Sequence, residues 1–316
     1  MTYDCVVVGG GAAGLSAGLV LGRARRRTLV VDAGRQSNTA APAIGGLLGF
    51  DGRSPQELYD QGRHELARYP SVEVVPGEVR RAGGVEGDFT VELADGRRER
   101  ARRLLLATGV DYQPPDLPGM DGLWGSTVFH CPFCHGWESR DQPLAVMANG
   151  EKALHAALLA RAWSGDLVLL TDGPAEIDAG GRDRLGAAGI GVDERPVTGV
   201  AAQDGRLEAV LFADGSRLPR SALLVATTLA RRGDLAEQLG LLTHDDGPVV
   251  VDPINVDNLG RTTVPGVFAA GDICTQVPQV ATAIATGSVA ATAIVQSLLS
   301  DDPPHGSGLP FPPRHD

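Results

Sequence analysis

The sequence is poor in aromatic residues, in cysteine and in positive charge. Of its 316 residues, 4% are aromatic, four are cysteine and one, Lys152, is lysine, and the formal net charge is −11. A negative chain without a basic stripe argues against a nucleic-acid-binding surface. Four cysteines are too few for a structural disulfide framework in a chain of this length. They favour redox or metal chemistry instead.

The patterns of a leader segment and of a membrane span are also missing. The N-terminus runs directly into a strand pattern, "YDCVVVGGG", with no charged and apolar leader before it. A late apolar stretch, residues 280–299, is broken by Gly287 and is rich in Ala, Thr and Ser. These features favour a buried helix over a membrane helix. We therefore expect a cytoplasmic protein with no membrane partner.

What the chain does contain is two similar halves. Each begins with a strand–helix–strand pattern, residues 3–34 and 143–173, and continues as a meander with a turn at Asp95-Gly96 or Asp214-Gly215. This organisation predicts an α/β fold with two Rossmann-like dinucleotide-binding domains, each a three-layer ββα arrangement. The last apolar strand and helix have no counterpart in the second half, so we expect them to return to the first domain. The predicted domains are residues 1–114 with 246–316, and residues 115–245.

Gly9, Gly11 and Gly14 form a G-x-G-x-x-G motif between the first strand and the first helix, and Asp32 ends the second strand. Gly9 permits a tight turn, Gly11 lets the backbone approach a pyrophosphate, and Gly14 lets the helix pack closely on the strand. The helix N-terminus would face the phosphate charge, and Asp32 would accept hydrogen bonds from a ribose diol. Glycines alone would be a weak signal, but in this strand–helix–strand context they predict a bound nucleotide.

The corresponding motif in the second half is damaged. Its triad reads Ala148, Gly150 and Ala153, so the glycine of the tight turn is missing. The following strand runs into "LVLLTDGPAEI", which has no arginine to hold the 2′-phosphate of NADP, although Asp172 could serve the ribose of NAD. We therefore expect a domain that keeps its fold and has lost its nicotinamide cofactor.

Cys131 and Cys134 lie in "HCPFCHGWE", between His130 and His135. A zinc site needs four ligands, and these four lie too close on one turn to close a tetrahedron easily. An inert disulfide would stabilise little because its loop is so short. A redox-active pair is the better interpretation, since a C-x-x-C motif at a helix start favours the thiolate. Thiol–disulfide exchange also needs a base, for which His135 is the first candidate and His130 the alternative.

Four stretches resemble the low-molecular-weight thioredoxin reductase family: the glycine motif, "ATG", "CPFC" and "GVFAAGD" with the helix after it. The "HCPFCHGWE" motif, with His135 where thioredoxin reductases have an aspartate, is similar to one branch. That branch contains the FAD-dependent dithiol oxidases that close the disulfides of gliotoxin- and holomycin-type natural products. The resemblance implies FAD as the cofactor and a homodimer. It also implies that Cys134 is the flavin-proximal cysteine and that Cys131 exchanges with the substrate.

The resemblance further implies where the flavin is held. Asp272 would lie near its ribityl and phosphate end, and the start of the following helix would line the ring. The expected FAD-binding residues are Gly9, Gly11, Ala12, Ala13, Gly14, Asp32, Ala33, Gln36, Asn38, Val79, Ala107, Thr108, Gly109, Gly271, Asp272, Gln279, Val280 and Ala281.

The expected function is the oxidation of a small-molecule dithiol to an intramolecular disulfide, as in antibiotic biosynthesis. Electrons would pass through the Cys131–Cys134 pair and FAD to O2, giving H2O2, because the sequence offers a redox pair and a flavin but no recognisable hydride source. Two alternatives stay open. One is a thioredoxin-reductase-like disulfide reductase fed by NAD(P)H or by a protein electron donor, and the other is a flavin-binding redox sensor. No metal is expected.

Overall fold

The computed structural model describes residues 1–244, 247, 249–299 and 301, and the Pro-rich tail beyond residue 301 lies outside the described residues. The first strands are β1 (Thr2–Val8), β2 (Thr28–Asp32), β3 (Val72–Pro76), β4 (Val79–Val85), β5 (Asp88–Leu93), β6 (Arg98–Leu106), β7 (Val110–Gln113) and β8 (Val128–Phe129). The later strands are β9 (Leu144–Met147), β10 (Leu167–Leu170), β11 (Gly191–Asp193), β12 (Val197–Gln203), β13 (Arg206–Phe212), β14 (Arg217–Pro219), β15 (Ala222–Val225), β16 (Thr228–Arg231), β17 (Val250–Val251) and β18 (Val267–Ala269). The helices are α1 (Ala12–Arg23), α2 (Pro55–Leu66), α3 (Pro132–His135), α4 (Gly150–Ala160), α5 (Ala179–Ala187), α6 (Leu235–Gln238) and α7 (Val280–Leu299), with 3-10 turns at Ser37–Ala40, Trp137–Ser139 and Asp272–Cys274.

The first sheet has the order β3-β2-β1-β6-β5-β4, with β18 also paired to β6. Strand β6 is long enough to carry β5 along residues 98–101 and β18 along residues 104–106. Strands β1, β2, β3, β6 and β18 run parallel, and β5 is antiparallel to both β4 and β6. The apolar runs of β1 and β6 are buried because both faces of a parallel sheet are covered.

Helices α1 and α7 pack against each other in the core beside this sheet. A Cβ on Gly287 would lie 2.1 Å from the carbonyl oxygen of Ala13, so the two helix backbones are in direct contact. By length and composition alone, α7 could cross a membrane. Its small residues instead fill the core next to α1, as expected of a buried helix.

The second sheet has the order β11-β10-β9-β15-β8 and is parallel throughout. Helices α4 and α5 cover one face of this sheet, and the meander β12-β13-β14 packs on the other. The predicted turn at Asp214-Gly215 joins β13 to β14. The expected α/β fold with two Rossmann-like domains is therefore confirmed.

A third, small sheet with the order β17-β16-β7 lies at the junction of the domains. Leu229 of β16 and Leu235 of α6 belong to the core of the first domain, together with Val250 of β17. The predicted division at residues 245/246 stays a prediction. This packing leads us to propose that the chain returns to the first domain earlier, just before β16.

Candidate functional site

A cavity of about 550 Å³ opens at the carboxyl ends of β1, β2, β6 and β18. Gly9 leaves β1 with a φ of +118°, and a Cβ on it would lie 2.1 Å from the carbonyl oxygen of Ala107. A Cβ on Gly14 would lie 1.8 Å from the carbonyl oxygen of Gly9, so α1 approaches the turn as closely as the backbone allows. Near a Cβ on Gly11, the described residues supply only the Gln36 side chain, at 4.0 Å. The N-terminus of α1 thus faces an open cradle that fits a pyrophosphate.

Asp32 is held at the rim of this cradle by three donors. Its Oδ1 accepts hydrogen bonds from the backbone N–H of Gly34 at 2.8 Å and from Nε2 of Gln36 at 3.0 Å. Its Oδ2 pairs with the Arg63 guanidinium at 3.2 Å. The carboxylate is therefore fixed in orientation, with lone pairs left for the ribose hydroxyls that it is predicted to bind.

Asp272 is the buried acid of the cavity. Within the described part of the chain its Oδ1 has no hydrogen-bond partner. Burial raises the pKa of this carboxyl to about 6, against a small opposing effect of the Arg232 guanidinium. An orphaned carboxylate oxygen that faces a cavity needs a donor from a ligand, and the hydroxyls of a ribityl chain are donors of this kind. Asp272 thus fits the position that the family resemblance implies.

The structure gathers the predicted FAD-binding residues around this one cavity. All of them line it except Gly14, whose part is the close packing of α1. Their contacts with a cofactor stay a prediction. Lining residues that the sequence did not reveal are Arg35, Ile44, Gly45, Tyr59, Tyr112, Trp124, Phe129, Phe133 and Arg232.

Of these, Tyr59 alone had a usable signal, because it lies on the buried face of the amphipathic helix α2. Its hydroxyl donates to Oδ1 of Asn38 at 2.7 Å, which fixes a predicted residue. Arg232, which follows β16, is tied to two residues of the cavity wall. It donates to Asp111 Oδ1 at 2.6 Å and to Ser37 Oγ at 3.1 Å. Arg232 comes from a segment that is remote in the sequence, so no local spacing could have predicted it as a lining residue.

Cys131 and Cys134 form a disulfide across the short helix α3, for which Cys131 is the N-cap. Cys134 lines the dinucleotide cavity, whereas Cys131 is partly exposed and lies outside the lining that the described residues form. No group of three metal-binding side chains occurs among the described residues. Both cysteines are partly buried, and Cys134 is the one that lines the cavity.

His130 and His135 both line the cavity beside the disulfide. Burial lowers the pKa of His130 to about 4, and the nearby His135 adds to this effect. Burial also lowers the pKa of His135, although the Glu138 carboxylate and backbone groups of Cys131 and Gly125 oppose it. Neither His135 ring nitrogen meets a partner in hydrogen-bond geometry among the described residues. Both rings are thus neutral near pH 7, and the neutral His135 ring has one unprotonated nitrogen that can take a proton.

Aromatic rings separate the disulfide region from an outer cleft. Tyr112 and Trp124 lie over the His130 ring, with centroid distances of 4.5 and 5.8 Å. The outer cleft has a volume of about 280 Å³ and shares Tyr112, Trp124 and Arg232 with the main cavity.

In the second domain a side chain caps the turn of the damaged glycine motif. The Asn149 side chain accepts from the backbone N–H groups of Gly150 and Glu176, both at 2.9 Å. It donates to the carbonyl oxygens of Thr171 at 3.2 Å and Pro174 at 3.0 Å. Asn149 thereby ties the start of α4 to the loop after β10 and occupies the first N–H group of that helix, that of Gly150. The Glu176 carboxylate also lies 3.8 Å from a Cβ position on Gly150, which disfavours an anion there.

Residues 3–287 match the family described as Pyridine nucleotide-disulphide oxidoreductase. Thioredoxin reductase tcpT of Claviceps purpurea (strain 20.1) is 32% identical over 94% of this chain and 95% of its own length. An oxidoreductase from Agrobacterium tumefaciens of known structure is 38% identical, with a TM-score of 0.89 over 96% of this chain and all of its own. The crystal structure of HlmI is likewise 38% identical, with a TM-score of 0.89 over 95% of this chain and 93% of its own.

Proposed function

This chain is a thioredoxin-reductase-like, FAD-dependent member of the pyridine nucleotide-disulphide oxidoreductase family, and from this premise we propose that it oxidises a small-molecule dithiol to an intramolecular disulfide, with O2 reduced to H2O2. One observation carries the proposal: the cavity predicted for FAD is lined by Cys134 of a redox disulfide, while the α4 N-terminus of the second domain is capped by Asn149 and faced by the Glu176 carboxylate. Electrons would then enter through thiols.

The cavity offers each part of FAD a partner. The start of α1 would bind the pyrophosphate, Asp32 the ribose and Asp272 the ribityl hydroxyls, with Gln279 and Val280 beside the ring. When bound, FAD supplies a two-electron acceptor that O2 can reoxidise.

The thiol chemistry belongs to the two cysteines. A substrate thiolate attacks Sγ of Cys131, the Cys131–Cys134 bond breaks, and Cys134 leaves as a thiolate that faces the cavity. The second substrate thiol then displaces Cys131, which closes the substrate disulfide and leaves both cysteines reduced. The pair would return to the disulfide by giving up two electrons and two protons, for which bound FAD would supply the acceptor. Overall, one dithiol and O2 give one disulfide and H2O2, so two electrons and two protons move from sulfur to oxygen.

His135 is proposed as the base of these exchanges. Its neutral ring lines the same cavity as Cys134, and its nitrogens are available to take a thiol proton. His130, which Tyr112 and Trp124 cover, is the less available of the two rings.

A simple experiment tests this function. The purified holoenzyme is mixed anaerobically with NADH, NADPH or dithiothreitol, and the visible absorbance of the flavin is followed. We expect dithiothreitol to bleach the flavin and both nucleotides to leave it oxidised. Admission of O2 should then restore the colour and yield H2O2. Rapid bleaching by NADPH would overturn the proposal.

That outcome would favour the second candidate, a disulfide reductase. The observation in its favour is that relatives such as tcpT are named thioredoxin reductases. A protein electron donor would serve this candidate even with Asn149 in place. Reduction of thioredoxin by the enzyme would identify it. Homodimeric assembly, a cytoplasmic location and a role in antibiotic biosynthesis stay predictions.

A further inference from the structure

A loop of the first domain, residues 40–47, lies between the FAD cavity and the redox disulfide; we call it the junction loop. Seven of its residues line the cavity, namely Ala40, Ala41, Ala43, Ile44, Gly45, Gly46 and Leu47. On its other side the loop touches the second domain at two glycines. One is Gly45 of the loop itself, and the other is Gly125 in the segment that leads to α3.

At Gly45 the contact is with the backbone of Cys134. A Cβ on Gly45 would lie 2.5 Å from the carbonyl oxygen of Cys134, 3.3 Å from its carbonyl carbon and 3.5 Å from its Cα. Any side chain here must displace either the junction loop or Cys134, because the obstacle is backbone and cannot rotate away.

The junction loop is the less movable of the two. Ile44 is buried, donates its N–H to the carbonyl oxygen of Arg53 at 2.8 Å and accepts from Gly52 N–H at 2.9 Å. Gly46 N–H donates to Asp51 Oδ1 at 2.7 Å. These bonds brace the loop on both sides of Gly45, whereas Cys134 belongs to a single-turn helix. A larger residue at position 45 would therefore shift Cys134.

Gly125 makes the matching contact from the second domain. A Cβ on it would lie 2.9 Å from the carbonyl carbon of Ala40 and 3.0 Å from the N atom of Ala41. The segment that carries Cys131 and Cys134 thus rests on the junction loop at two points, and at both of them the absence of a side chain permits the approach.

We propose that Gly45, supported by Gly125, is a positioning residue that sets how closely Cys134 approaches the flavin. This inference rests on the proposed function, because it concerns the transfer of electrons from the cysteine pair to FAD. The absence of a side chain at position 45 is then a requirement of the flavin step and not of thiol exchange with the substrate, which takes place at Cys131.

The test compares Gly45→Ala with Gly83→Ala, a control in which the new Cβ meets nothing within 4 Å. Each holoenzyme is mixed anaerobically with dithiothreitol. Flavin bleaching is followed by absorbance, and reduction of the Cys131–Cys134 disulfide is followed by alkylation quench and mass spectrometry. In Gly45→Ala we expect bleaching to slow by about tenfold or more, since small displacements of reacting groups have effects of this size. Disulfide reduction and FAD content should equal those of the control.

A second pair covers the case in which Gly45→Ala does not fold. Gly125→Ala and Gly122→Ala place alanine at nearly equal φ angles, +78° and +75°, but only the first meets the junction loop, since nothing lies within 4 Å of the second. We expect selective slowing of bleaching in Gly125→Ala alone. Equal bleaching in wild type, Gly45→Ala and Gly125→Ala would overturn only this inference, as would a parallel loss of both rates. A wild-type flavin that dithiothreitol does not bleach would overturn the proposed function, and this inference with it.

Discussion

Replacing Asp272 by Asn should raise the free energy of unfolding of the flavin-free protein and lower its affinity for FAD. In the folded chain, the described residues leave Asp272 Oδ1 without a hydrogen-bond partner, and the carboxyl is buried at the cavity wall. Holding a charge there costs free energy that a ligand must offset. A neutral amide of the same shape removes most of that cost.

The magnitude follows from the pKa. Burial raises the pKa of this carboxyl from 3.8 to about 6, and a shift of about two units corresponds to about 3 kcal/mol between the protonation states. A carboxyl with a raised folded pKa binds more protons when folded, so its contribution makes the free energy of unfolding fall as the pH rises from about 4 to about 6. Asp272→Asn should therefore gain up to about 3 kcal/mol above pH 6 and nothing below pH 4.

Urea unfolding of the flavin-free protein across this pH range measures the gain, and titration with FAD measures its affinity. We expect the dissociation constant for FAD to rise by about tenfold, since hydrogen bonds to a charged acceptor are stronger than those to an amide. If Asp272→Asn without flavin were less stable than wild type at neutral pH, the assignment of a buried, unpaired charge would be wrong.

Three further changes probe the remaining parts of the site. Cys134→Ser should keep FAD bound and abolish bleaching by dithiothreitol, and bleaching that persists would remove Cys134 from the mechanism. His135→Ala should remove the acid limb of the pH–rate profile, which in wild type should lie below the ordinary histidine pKa because burial lowers it; an unchanged profile would give His135 a structural part only. Asn149→Ala should lower the free energy of unfolding by about 1 kcal/mol, the usual cost of a lost N-cap, which thermal denaturation would measure. Dithiothreitol should still bleach the flavin of this variant. Loss of bleaching would contradict the separation of Asn149 from the redox site.

The sequence was sufficient where one local feature carries the physics. The start of α2 is one such feature: Ser54 directly precedes Pro55, and its Oγ accepts from Gln56 N–H at 3.1 Å. The glycine motif predicted the cradle because its spacing is set by backbone contact alone. Tyr112, Trp124 and Arg232 could not be predicted as neighbours. They reach the site only when the small sheet β17-β16-β7 brings remote segments together.

The two halves of the chain share a strand–helix–strand fold but differ at the N-terminus of the helix. The N-cap of helix α1 is Gly11, which has no side chain. The first N–H groups of the helix are therefore left for a ligand. The N-cap of helix α4 is Asn149. Its side-chain oxygen accepts from the N–H of Gly150 in the helix and from the N–H of Glu176 in the loop after β10. The sequence showed a broken motif at this second turn, but not that a side chain had taken the place of the phosphate. The N-terminus of α1 is left open for the predicted pyrophosphate, whereas the N-terminus of α4 carries a side-chain cap. This asymmetry supports the entry of electrons at Cys131 instead of from a nicotinamide.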